Sequence, residues 1–114
     1  YPACGIKIFM GSSTGSLLVD DDDSLDKIFS HGQRLIAVHA EDESRIKQRT
    51  GMLLNDNNTT YDYSTHSQVR DAETACIATR RALELSERYG DAYIFCISLP
   101  GRKSSYYARK NLRR

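Results

Sequence analysis

Gly5-Ile6-Lys7-Ile8-Phe9-Met10-Gly11-Ser12-Ser13-Thr14-Gly15 opens the first apolar run of the chain, and Val38-His39-Ala40-Glu41-Asp42-Glu43 closes the second. Residues 5–10 read as a strand, with Ile6, Ile8 and Met10 on one face and Lys7 and Phe9 on the other. A lysine inside a buried strand is costly, because desolvation disfavours its charge. It needs a reason, and metal chemistry at strand ends supplies one. The neighbouring run ends on a histidine followed by an alanine and three acids, which are also ligand-type side chains.

Working outward, a Gly/Ser/Thr loop leads to Leu17-Leu18-Val19 and the acidic run Asp20 to Asp23. Backbone N–H groups of residues 12–16 are candidates for an anion cradle, but no P-loop lysine follows and a plain turn is the better account. The acids are better read as helix capping by Asp22, Asp23 or Ser24 than as a cation site. Leu25, Ile28 and Phe29 form the stripe of a short helix that Gly32 stops, with His31 at its end. Leu35 to His39 is the second strand, apolar on both faces as parallel strands between helices are. A helix over Glu41 to about Arg49 follows, then a polar surface loop from Thr50 to Ser64, of a length that is often functional or mobile. His66 organises the turn before the next helix.

The clearest helix spans 71–89, with Asp71 as N-cap, Gly90 as stop and an apolar face of Ala72, Ala75, Cys76, Ala82, Leu83 and Tyr89. Tyr93 to Ile97 is the third strand, closed by Leu99-Pro100-Gly101. The order β-α-β-α-α-β predicts a parallel α/β sheet with right-handed crossovers. Three strands alone leave edges unpaired, so the chain reads as a slice of a larger α/β domain.

Composition bounds the function. With 114 residues, 39% apolar and 27% charged, the chain matches one modest soluble domain. It begins Tyr1-Pro2, with nothing like a signal peptide or membrane span. Of its 16 basic residues, six lie from Arg102 onward, where there is no acid, so the remaining ten face all 15 acids. That acidic body argues against general nucleic-acid binding. Cys4, Cys76 and Cys96 lack zinc-finger spacing, and Cys76 and Cys96 read as small buried hydrophobes, which suits a reducing, cytoplasmic setting. The sequons at Asn57-Asn58-Thr59-Thr60 carry little weight without a secretory signal.

Gly5 to Asp21 closely resembles a signature of bacterial dihydroorotases, in the cyclic-amidase branch of the amidohydrolase superfamily. Val38-His39-Ala40-Glu41-Asp42-Glu43 resembles that family's His-Cys-Glu-Asp-Glu segment, with Ala40 in place of Cys. His66-Ser67-Gln68-Val69-Arg70 and Glu73-Thr74-Ala75-Cys76 are similar to the stretch that opens the following helix. The resemblance covers residues 5 to about 98 in order. It implies three consecutive βα units, strands four (Lys7), five (His39) and six (ending near Ser98), of a (β/α)₈ TIM barrel of about 200–400 residues. Residues 1–101 would be the partial barrel, and 102–114 a basic tail of unknown structure.

The implied activity is zinc-dependent, reversible hydrolysis of dihydroorotate to N-carbamoyl-aspartate in pyrimidine synthesis. Two zinc ions in the complete enzyme would activate water and polarise the carbonyl under attack. The implied metal positions are Lys7, carboxylated in many relatives, His39 through a neutral ring nitrogen, and Cys96, where the family has histidine. The His-x-His of the first strand, the aspartate of the last and the usual substrate-binding Arg and Asn lie outside the resemblance, so the segment alone is expected to be inactive. The expected partners are the small-molecule substrate, the missing remainder of the barrel and, through exposed edges, a second copy. The rivals are a hydantoinase or allantoinase, which share the strand lysine and histidine, and a catalytically dead homologue acting as a scaffold.

Overall fold

A computed structural model describes residues 3–11, 13, 15–31, 35–55 and 62–90, together with the backbone of 94–97 and 106–108. The alternating run near the N-terminus forms β1, Gly5–Phe9, and the second apolar run forms β2, Leu35–His39. Between them lies α1, Asp22–His31. After β2 come α2, Glu43–Leu54, α3, Tyr63–Val69, and α4, Ala72–Tyr89. Two further strands follow, β3, Ile94–Ile97, and β4, Tyr106–Ala108.

The four strands form one sheet in the order β1-β2-β3-β4. β1, β2 and β3 run parallel, as helical crossovers require, with Lys7 opposite Ala37, Phe9 opposite His39 and His39 opposite Ile97. β4 is antiparallel to β3. The expected three-strand sheet therefore gains a fourth member from the tail, where Tyr106-Tyr107 has β propensity in a run too short to show a period.

Among the described residues, helices cover one face of this sheet. Ile8 and Met10 of the first strand segment and Ile36, Val38 and Ala40 of the second pack with Leu25 and Phe29 of α1 and with Ala78, Ala82 and Leu85 of α4. Burial of such side chains is the main favourable contribution to the fold. On the opposite face Leu35 and Lys7 are exposed, and Phe9, Ala37 and His39 are half-buried. The expectations of a strand buried on both faces and of a desolvated Lys7 are thus corrected. Among the described residues no second layer covers that side.

The helix boundaries follow their aspartate caps. Asp21, one residue earlier than expected, accepts from Ser24 N–H at 2.7 Å and starts α1. Asp22 pairs with Arg81 of α4, and the Asp20 carbonyl accepts from the same guanidinium at 2.8 Å. The acidic run is therefore a cap and an interhelix anchor. Asp42 caps α2, Asp62 caps α3 in a reciprocal box with Thr65, and Asp71 caps α4. Gly90, at φ 71°, ends α4 in the left-handed conformation that glycine adopts without penalty. His31 holds the end of α1 by donating from Nδ1 to the Lys27 carbonyl at 2.8 Å.

Two expectations about α2 to α4 need correction. The loop expected over 50–64 is helical at 50–54 and again from Tyr63, while 56–61 lie outside the described residues. α2 buries no residue, so no apolar stripe marks its end. The inward face of α4 is Thr74, Ala75, Ala78, Thr79, Ala82, Leu85 and Ser86, whereas Cys76 and Ala72 are exposed. Small residues let α4 lie close to the sheet, and Thr74 is admitted because its hydroxyl donates to Asp71 at 2.8 Å. No helix among the described residues is long and apolar enough to cross a membrane.

The caps make the fold acid-sensitive. Hydrogen bonds from Ser64 and Thr65 pull the Asp62 carboxyl down to about 2, and Arg45, with Thr74, holds Asp71 far below the usual aspartate value of 3.8. Folded values below the unfolded ones mean stability that is complete above about pH 4 and lost as pH falls to 2 and below. Circular dichroism at fixed urea should show that loss. Asp71→Ala should lower stability at pH 7 by about 1–2 kcal/mol and flatten the acid limb.

Candidate functional site

The uncovered sheet face brings Lys7 and His39 to the same side of adjacent parallel strands. Residues i and i+2 of a strand share a face, so Lys7 and Phe9 lie together, and register sets Phe9 beside His39. The Phe9 and His39 ring centroids are 6.1 Å apart, with the planes at 36°. Lys7 Nζ sits 4.7 Å from the centroid of the Phe9 ring, a cation–π contact. The phenyl ring is thus the shared surface on which the lysine and the histidine both rest.

Beyond His39 the chain is tied to the end of β1. The His39 carbonyl accepts from Met10 N–H at 3.1 Å, and the Phe9 carbonyl accepts from Val19 N–H at 2.8 Å. A Cβ built on Gly11 would lie 2.3 Å from the Glu41 carbonyl oxygen, so only glycine permits this approach. Glu41 is 3% exposed, and its Oε2 accepts from Arg70 Nη1 at 2.8 Å. The same oxygen lies 3.1 Å from His39 Nε2. As a carboxylate Glu41 can only accept, so the His39 ring donates to it.

A second charged cluster supports the first. Asp71 accepts from Arg45 Nε at 3.2 Å and Nη2 at 2.7 Å, a bidentate pair. Arg49 approaches Asp71 at 3.3 Å and donates to the Gln68 carbonyl at 2.8 Å. Asp42 N–H donates to the Thr74 carbonyl at 3.1 Å. Together these contacts lock α2 to the α3–α4 corner, from which Arg70 reaches Glu41.

In kind, His39 suits a metal, and Lys7 would suit one after carboxylation; as an ammonium, lysine offers no lone pair. In number they fall short. Among the described residues no three His, Cys, Asp or Glu side chains gather as a metal set. Cys96, the third expected position, stands in register with Val38, and its side chain lies outside the described residues. So do Ser12 and Thr14 of the candidate anion loop. Ala40, where the dihydroorotase signature has cysteine, is fully buried in the core.

This fold has solved counterparts. Its structural neighbours are hydantoinases and dihydropyrimidinases, TIM-barrel amidohydrolases of the cyclic-amidase branch. An L-hydantoinase (dihydropyrimidinase) from Arthrobacter aurescens superposes with a TM-score of 0.71 at 23% identity, over 82% of this chain and 21% of that one. A D-hydantoinase from Bacillus sp. AR9 gives 0.67 at 29% identity, over 79% and 20%. A dihydropyrimidinase from Brevibacillus agri NCHU1002 gives 0.67 at 28% identity, over 80% and 20%. The chain therefore spans about a fifth of the length of the structures it matches. No protein-family model and no curated protein sequence matches it.

The sequence pattern singled out Lys7 and His39 but not Phe9, Gly11, Glu41 or Arg70 as a constellation. The available signal was the i, i+2 spacing of His39 and Glu41. The Arg70 contact bridges 29 residues and has no local signature. Gly11→Ala should force the Glu41 backbone away and cost about 1–3 kcal/mol, read as a lower urea midpoint.

Proposed function

We propose that the chain forms strands four to six, with their helices, of a cyclic amidohydrolase (β/α)₈ barrel whose complete molecule opens the ring of dihydroorotate to N-carbamoyl-aspartate. The observation that carries this reading is the placement of Lys7 and His39. They share the uncovered sheet face, Lys7 at mid-strand in β1 and His39 at the carboxyl end of the adjacent parallel β2, the strand end at which barrel enzymes of this architecture carry their chemistry. In the full barrel that face would line the interior, and the rest of the barrel would be the partner that covers it. Lys7, His39 and Cys96 are the proposed ligand positions. Zinc held there would supply an activated water and a polarised carbonyl.

The dihydroorotate assignment rests on the run Gly11-Ser12-Ser13-Thr14-Gly15-Ser16-Leu17-Leu18-Val19-Asp20-Asp21. A hydantoinase or dihydropyrimidinase is the second reading, favoured by the names of the structural neighbours. All three substrates are cyclic amides, so the two readings share the same ring-opening chemistry.

The test uses the full polypeptide that carries this segment. Bound zinc per chain is measured, with turnover of dihydroorotate, dihydrouracil and hydantoin. The expected outcome is zinc-dependent turnover with dihydroorotate preferred, reduced at least about 100-fold by Lys7→Ala or His39→Ala. Preference for hydantoin or dihydrouracil would select the second reading. A folded protein with neither zinc nor turnover would overturn both and leave the scaffold role.

A further inference from the structure

The chemistry of His39 depends on which ring nitrogen faces the site, and three contacts outside the expected ligand set decide it. Glu41 is almost fully buried, yet its carboxylate oxygen meets two partners, Arg70 Nη1 at 2.8 Å and His39 Nε2 at 3.1 Å. A buried carboxylate needs such partners, and the guanidinium supplies an opposite charge and a donor that cannot be titrated away. Arg70 is itself anchored: its N–H donates to the His66 carbonyl at the end of α3, and the next residue, Asp71, starts α4. Gly11 closes the other side by packing its backbone against the Glu41 carbonyl. Glu41 is therefore held by backbone on one side and by a charged pair on the other.

We propose that Glu41, braced by Arg70, is a positioning residue that holds His39 as the Nε2–H tautomer, leaving Nδ1 as the ring atom that carries the lone pair. Among the described residues Nδ1 carries no hydrogen bond, so the lone pair is available to an electrophile or a donor. The orientation follows from the contacts alone; its use in ring opening rests on the barrel reading. The Phe9 ring, in register with His39, limits rotation of the imidazole from the side of β1. Arg70 thereby couples the α3–α4 corner to the sheet end, so a shift of that corner reaches His39 through one carboxylate.

The inference is tested by nitrogen NMR of the full polypeptide with ¹⁵N-labelled histidine at pH 8, above the ordinary imidazole pKa of about 6.5. His39 is assigned by the resonance lost in His39→Asn. The expected result is a protonated Nε2 with a slowly exchanging N–H, while Nδ1 is unprotonated. Glu41→Ala should make that N–H exchange at least about tenfold faster. Arg70→Lys, which keeps the charge, should retain the slow resonance. A protonated Nδ1 in the unsubstituted protein, or an Nε2–H whose exchange is unchanged by Glu41→Ala, would overturn the proposal. If Glu41→Ala does not fold, the tautomer of the unsubstituted protein and the Arg70→Lys spectrum decide it. The slow Nε2–H with no turnover on any cyclic amide would leave the positioning role standing and the ring-opening reading lost.

Discussion

One-sided burial of a parallel sheet is the constraint on which the rest of the structure depends. Ile8, Met10, Ile36 and Val38 point to the side where α1 and α4 lie, and the alternation of a strand then commits Lys7, Phe9, Ala37 and His39 to the other. A one-residue slip of register would move His39 into the core and expose Val38. Hydrophobic burial on one face is thus what aligns the two polar side chains on the other. The same alternation leaves Lys7 exposed on the uncovered face, with its Nζ over the Phe9 ring.

Aspartates carry the architecture around that sheet. Asp21, Asp42, Asp62 and Asp71 each satisfy backbone N–H groups at a helix start, where unpaired donors and the helix dipole favour a carboxylate. Asp71 also receives Arg45 and Arg49 from α2. Arg88 pairs with Asp26 across α4 and α1, as Arg81 does with Asp22. Exposed pairs of this kind contribute little individually. Their value lies in setting the angle at which each helix enters, and through Arg70 that angle reaches Glu41 and His39.

The half-covered sheet also relates the chain to its structural neighbours. A sheet that matches about a fifth of the length of TIM-barrel chains, with helices on one face and Lys7, Phe9 and His39 on the other, has the layering of a barrel wall. The Lys7–Phe9–His39 row lies on the face of that sheet left uncovered among the described residues. On the proposed barrel reading, cyclic-amide chemistry would use that surface.

Strand alternation, aspartate caps and the glycine stop at Gly90 are local signals, and from them the sequence alone determined β1, β2, α1 and α4, whereas the shared face of Lys7 and His39 came from the register between β1 and β2. Capping needs only residues three apart, and alternation only residues two apart. The extension of α2 through Leu54, the existence of α3 and the inward face of α4 were decided by tertiary structure. Their burial is too slight, or their inward residues too small, to leave an apolar period. The Glu41–Arg70 brace belongs to the same class. Its partners lie 29 residues apart, and only the packing of the α3–α4 corner against the sheet end brings a guanidinium to a buried carboxylate.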